Sequence, residues 1–229
     1  ESLMEVVRVI EGWTFKQMRE ALAQAPHLKL TTQGMSEAQV MAAIGLPDTP
    51  AEGRFFPDTY HYSRGATDMT VLRSAQQMLQ KKLEAAWAER AKDVPLKSID
   101  EALIMASIVE KESGLEAERT KVASVFVNRL RIGMPLQTDP TVIYGLGDKF
   151  DGNLRKKDLQ TDTPYNTYTR KGLPPTPIAL PGANSIKAAL QPAPTKALYF
   201  VARGDGSSVF SDNLADHNRA VNKFQRGGN

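Results

Sequence analysis

Glu112 sits where a carboxylate is seldom found, in the middle of an apolar stripe. From Ser98 to Gly114 the chain reads SIDEALIMASIVEKESG. Ser98 followed by Glu101 fits a helix-opening capping box, and Gly114 fits a helix stop. Val109, Ile108, Met105 and Ile104 precede Glu112 by three, four, seven and eight positions. At about 100° per residue they surround it on one helical face, and Glu110 points roughly the opposite way. Burial against aliphatic groups disfavours the charged carboxylate, and the negative end of the helix dipole does the same. Lys111 projects elsewhere. A carboxyl that keeps its proton near neutral pH is what acid-catalysed cleavage of a glycosidic bond needs. The competing reading is a buried glutamate answered by an arginine, for which Arg119, Arg129 and Arg131 are available.

Other chemistries find less support. The chain of 229 residues has no cysteine, which removes thiolate nucleophiles and cysteine metal sites. Its three histidines, His27, His61 and His217, are scattered and lack metal-ligand spacing. His217 reads as a surface or capping residue of the last helix. No G-x-S-x-G elbow or Walker loop is present. A formal charge of +3, with no basic block interleaved with aromatics, argues against nucleic acid as partner. No apolar run approaches membrane-spanning length. No metal or organic cofactor is expected.

These candidates must be held by a helical scaffold. A strand at 5–10 leads into a helix opened by Thr14, with Gln17 completing its capping box. A second short helix over 36–44 stops at Gly45. A loop rich in Pro and Gly carries Glu52 to Tyr60. A long helix over about 69–92 and the Glu112 helix follow, and then a helix over about 117–131 ended by Gly133. Residues 134–194 show little periodicity, but their Leu, Ile and Tyr content argues against disorder. They read as ordered loops that build a cleft. Gly204-Asp-Gly206 marks a hairpin between 198–202 and 208–210, and a closing helix spans 214–224.

Four segments resemble the MltG (YceG-like) family: IVEKES at 108–113, LQTDPTVIYG at 136–145, PYNTY at 164–168 and GLPPTPI at 172–178. PGANS at 181–185, Glu52-Gly53 and PDTY at 57–60 fit as well. The resemblance runs from about Val9 to His217. Glu112-Ser113 and Tyr165-Asn166 also resemble, more weakly, the Glu-Ser and Tyr-Asn pairs of lysozyme-like lytic transglycosylases. The resemblance implies an α+β fold: a helix-dominated, lysozyme-like catalytic core with small β elements and a C-terminal hairpin. It implies non-hydrolytic, endolytic cleavage of the MurNAc–GlcNAc bond of peptidoglycan, with Glu112 as acid and then base. Ser113 would hold Glu112 or a substrate acetamido group. Gln137, Asp139, Tyr144, Tyr165, Asn166 and Tyr168 would line the groove, and Glu52 and Asp58 become groove candidates.

From the residues alone, each of these has a structural reading as well. Asn166 and Gln137 could satisfy loop backbone, Asp139 could start a turn before Pro140, and Tyr144 and Tyr168 could be half-buried core. By the resemblance, residues 1–11 are the tail of a LysM-like region, 12–95 an N-terminal helical part with groove loop 52–60, and 96–229 the catalytic part. The expected partners are glycan strands and wall synthases of the penicillin-binding class. The expected location is the periplasmic face of the bacterial inner membrane, with an N-terminal membrane helix preceding this sequence. Two alternatives stay open: a glycan-binding module with a dead site, and a water-using muramidase with Asp139 or Asp58 as second carboxylate.

Overall fold

The computed structural model describes residues 3–225; positions 1–2 and 226–229, the outer ends of the first and last expected segments, lie outside the described residues. The chain opens with strand β1, Met4–Arg8, paired antiparallel with β2, Thr59–Ser63, so that Val6 lies opposite His61. The reading above left 59–60 in a loop, but Tyr60 and Tyr62 alternate inward there. Helices α1, Phe15–Gln24, and α2, Glu37–Ile44, lie between the strands. Both open on complete capping boxes, Thr14 with Gln17 and Ser36 with Gln39, and Gly45 closes α2 at a left-handed φ of 95°.

Helix α3, Asp68–Ala88, passes between two hydrophobic cores. Its Val71, Leu72 and Ala75 join Phe15, Met18, Val40 and Phe55 in the first. Its Leu79 and Leu83 join the second, built on α4, Ile99–Glu112, and α5, Arg119–Ile132. The cores trade side chains: Leu180 lies in the first and Phe56 in the second. Two hydrogen bonds tie that exchange down, Gly12 N–H to Leu180 O at 2.9 Å and Leu180 N–H to Trp13 O at 2.7 Å.

Helix α4 is more deeply set than one stripe implies. Every residue from Ala102 to Val109 is buried, so it is the central rod of the second core. Ser98 caps it through Glu101 N–H at 3.2 Å, but the Glu101 carboxylate accepts from Lys97 N–H rather than closing the box. The helix ends on extended Ser113, with no left-handed glycine at Gly114. α5 does end on left-handed Gly133, φ 73°.

Residues 134–194 hold more regular structure than their sequence suggests. They contain α6, Asp139–Leu146, α7, Lys156–Gln160, and α8, Ala183–Leu190. α8 buries Ile186, Ala188, Ala189 and Leu190 in the second core. The chain then forms the antiparallel hairpin β3, Tyr199–Ala202, and β4, Ser208–Ser211. Helix α9, Leu214–Phe224, capped by Asn213, closes it. The α+β, helix-dominated class and the C-terminal hairpin agree with expectation.

Candidate active site

The two glutamates at the end of α4 have opposite fates. Glu110 turns towards α8, where it accepts from Gly182 N–H at 2.8 Å and Ser185 Oγ at 3.0 Å. Arg119 lies 3.2 Å from it, and both side chains are nearly buried, 8% and 12% exposed. The arginine-answered glutamate that the sequence allowed is therefore Glu110, not Glu112. Arg131 is occupied by Asn128 and Asp93. Arg129 donates to two backbone carbonyls, Leu198 O at 2.8 Å and Leu136 O at 2.6 Å.

Glu112 is half-buried and accepts one strong hydrogen bond, from Thr138 Oγ1 at 2.6 Å. Burial raises its pKa above the ordinary carboxylate value. The nearby negative charge of Asp139 adds to this, while the Thr138 bond and the positive field of Arg129 oppose it. Among the described residues no arginine reaches Glu112 within ion-pair distance. The hydroxyl that holds the acid comes from Thr138, a residue the sequence did not single out. Ser113 Oγ is buried and has no hydrogen-bond partner among the described residues.

Thr138 is held by the PYNTY loop. Its N–H donates to Thr167 Oγ1 at 3.0 Å, and Gln137 N–H donates to Thr167 O at 3.2 Å. Gln137 itself adopts φ 51°, left-handed for a non-glycine residue and typical of strain kept at a site. Asn166, only 1% exposed, organises the loop. Its amide donates to Leu159 O and Thr161 O, and its Oδ1 accepts from Tyr168 N–H and Thr169 N–H. Tyr168 then donates to Asp139 Oδ1 at 2.5 Å. The line of support runs from Asn166 through Thr167 and Thr138 to the acid.

Glu112 opens on a cleft of about 490 Å³. Gln137, Asp139 and Tyr168 line it as expected, together with Arg129. Tyr199 of β3 with His217 and Asn218 of α9 also line it, and the sequence reading missed them. The only signal was a histidine on a capped helix, which reads as surface. Tyr144, Tyr165 and Asn166, also expected to line the groove, are not among the residues that line this cleft. Asn166 is spent on backbone, and Tyr165 is half-buried, packing on Tyr144 and sharing a hydrogen bond with Thr176 Oγ1 at 2.8 Å.

A family model described as the YceG-like family matches residues 1–223. The chain belongs to the YceG-like family. A Bacillus subtilis (strain 168) protein named endolytic murein transglycosylase is 42% identical over 176 residues, covering 76% of this YceG-like chain and 48% of that protein. A protein of the same name from Streptococcus pneumoniae D39 is 32% identical over 177 residues, covering 74% and 31%. The chain thus spans half or less of the length of these relatives. A crystal structure of a YceG-like protein from Listeria monocytogenes aligns with a TM-score of 0.77 at 33% identity, covering 94% of this chain and 75% of the other.

Two further residues of this YceG-like site lie away from the Glu112 cleft. Asp58 is exposed, accepts from Thr59 N–H, and borders a separate hollow with Arg8 and Glu11. Glu52 is 5% exposed and accepts from Phe15 N–H at 2.7 Å, at the positive end of α1, and from the Tyr144 hydroxyl. It joins α1 to α6 rather than facing solvent. Burial outweighs those bonds and pushes its pKa from 4.5 up to about 7.

Glu52 and Glu112 each give a pH prediction. Glu52 binds its proton more tightly folded than unfolded. Its favourable contribution is complete below pH 4.5 and is lost as pH rises through about 7. Glu52→Gln keeps an acceptor for Phe15 N–H and does not titrate. Between pH 4.5 and 8 the parent should therefore lose about 3 kcal/mol relative to this variant, readable from urea melts. Equal slopes in the two proteins would refute it. Thr138→Val removes the bond that favours ionised Glu112. The alkaline limb of kcat/KM should move to higher pH, with a lower plateau because the acid is less firmly aimed. A shift to lower pH would contradict this.

Proposed function

We propose that this chain is the catalytic part of an endolytic murein transglycosylase, cutting glycan strands between N-acetylmuramic acid and N-acetylglucosamine without water. The observation that carries the reading is one carboxyl, Glu112, with raised proton affinity, held by Thr138 and open to a cleft. The names of the Bacillus and Streptococcus relatives support the same reaction.

In this mechanism protonated Glu112 gives its proton to the glycosidic oxygen as the C1–O bond breaks. Positive charge develops at C1 and the ring oxygen, and Asp139 stabilises it through space. The Glu112 carboxylate then takes the proton of the muramyl C6 hydroxyl, whose oxygen bonds to C1 and closes the 1,6-anhydro ring. Glu112 ends protonated, as it began. Gln137 and Tyr168, which line the cleft, present amide and ring faces to the strand. The strand would be met at the periplasmic face of the inner membrane, beside synthases of the penicillin-binding class. Among the described residues no helix is long and apolar enough to cross a membrane.

Asp139 keeps a second reading in view. It lies in the same cleft and its charge acts on Glu112, so a muramidase could use it to activate water. The deciding experiment is mass analysis of products from purified glycan strands. A lytic transglycosylase leaves ends one water lighter than reducing ends. Reducing ends would establish the muramidase, and absence of any product would leave a binding module.

A further inference from the structure

We propose that Tyr199 and His217, with Asn218 beside them, form a saccharide subsite that holds an N-acetylhexosamine residue next to the bond cut at Glu112. The inference rests on the glycan-cleaving reading of the same cleft. Tyr199 and His217 stack with ring centroids 4.9 Å apart and planes at 21°, and both line the cleft with Glu112. Arg129, fixed by two backbone carbonyls, lies with its guanidinium carbon 5.4 Å from the Tyr199 ring centre. This makes a rigid platform from three elements, α5, β3 and α9. Flat rings supply apolar area to the C–H faces of a pyranose at little entropic cost.

The polar part of the platform is unsatisfied. His217 Nδ1 is buried and has no hydrogen-bond partner among the described residues. Burial, and then the charge of Arg129, lower the imidazole pKa, so the ring is neutral near pH 7. A neutral imidazole both donates and accepts, as does the exposed Asn218 amide. Hydroxyl and acetamido groups present the complementary pair. Nothing here calls for an anionic ligand.

The test uses three variants of the full chain on purified, peptide-free glycan strands, with KM, kcat and melting temperature measured together. His217→Phe keeps the stack and removes the nitrogens, and KM should rise about tenfold, the loss of one hydrogen bond of about 1.4 kcal/mol. Asn218→Ala should raise KM several-fold with little change in melting temperature. His217→Gln, which keeps hydrogen bonding without the ring, should recover part of the loss. The effect should fall on KM more than on kcat. Unchanged KM in both His217→Phe and Asn218→Ala, or a melting shift with kinetics intact, would overturn the subsite while leaving the transglycosylase reading standing. A parent protein that releases no product from the strands would remove both.

Discussion

Glu112→Gln should lose activity and gain stability, whereas Glu110→Gln should keep its activity and lose stability. The amide at 112 keeps the shape and still accepts from Thr138, but it has no proton to give. General acid–base assistance is worth about 10²–10⁴-fold, and in the proposed mechanism one carboxyl performs both halves, so a loss of at least that size is expected. Burial raises the Glu112 pKa, so near neutral pH the folded state carries a penalty for any ionised fraction. A neutral amide removes that penalty. Glu110→Gln instead weakens the contact with Arg119 and the acceptor for Gly182 and Ser185. The expected cost is roughly 1–3 kcal/mol, below that of a fully severed buried pair because Arg119 keeps Glu116. Its kcat should stay within a few-fold of the parent. Strand-release kinetics and urea melts on both variants decide it. Exchanged behaviour would mean the acid is Glu110.

Asn166→Ala should cost both stability and rate, although Asn166 touches no substrate in the mechanism above. Removing its amide strands two carbonyls, at 159 and 161, and two N–H groups, at 168 and 169. Such groups cost about 1–3 kcal/mol each when left dry, and loop relaxation recovers part of that, so about 3 kcal/mol is expected. In a chain of this size that is roughly 10 °C in melting temperature. Thr167 would loosen its hold on Thr138, and kcat should fall at least tenfold at temperatures where the protein stays folded. A melt within about 2 °C of the parent would show that the loop does not depend on this amide.

How far the sequence could be read follows from the range of the interactions involved. Glu112 was legible because its neighbours are three to eight positions away on one helix. The opposed direction of Glu110 was legible for the same reason, though not that Arg119 answers it. Helices α1, α2 and α9 announced themselves through side-chain caps. Helix α8 did not: it has eight residues, opens on Gly182 without a side-chain cap, and buries two alanines that carry little hydrophobic signal. The resemblance named the PYNTY and LQTDP segments but not their division of labour, in which Asn166 and Thr167 hold Thr138 while Tyr168 and Asp139 face the cleft. Tyr199 and His217 were out of reach altogether. They meet Glu112 across about a hundred residues of chain, and no local period encodes that.

The exchange of Phe56 and Leu180 between the two cores bears on how this chain folds and how it fails. Each core is missing a side chain until the other forms, and α3 runs through both. At Gly53, φ 82°, an added Cβ would lie 2.5 Å from Pro177 Cβ, so the seam is closed to within an atom. The two halves are therefore expected to unfold together rather than as separate foldons. A fragment beginning near residue 96 would carry the whole acid machinery, yet it would have a cavity where Phe56 belongs and an unsheltered Leu180. The first hundred residues are thus part of the fold that shapes the Glu112 cleft, through the core they share with it.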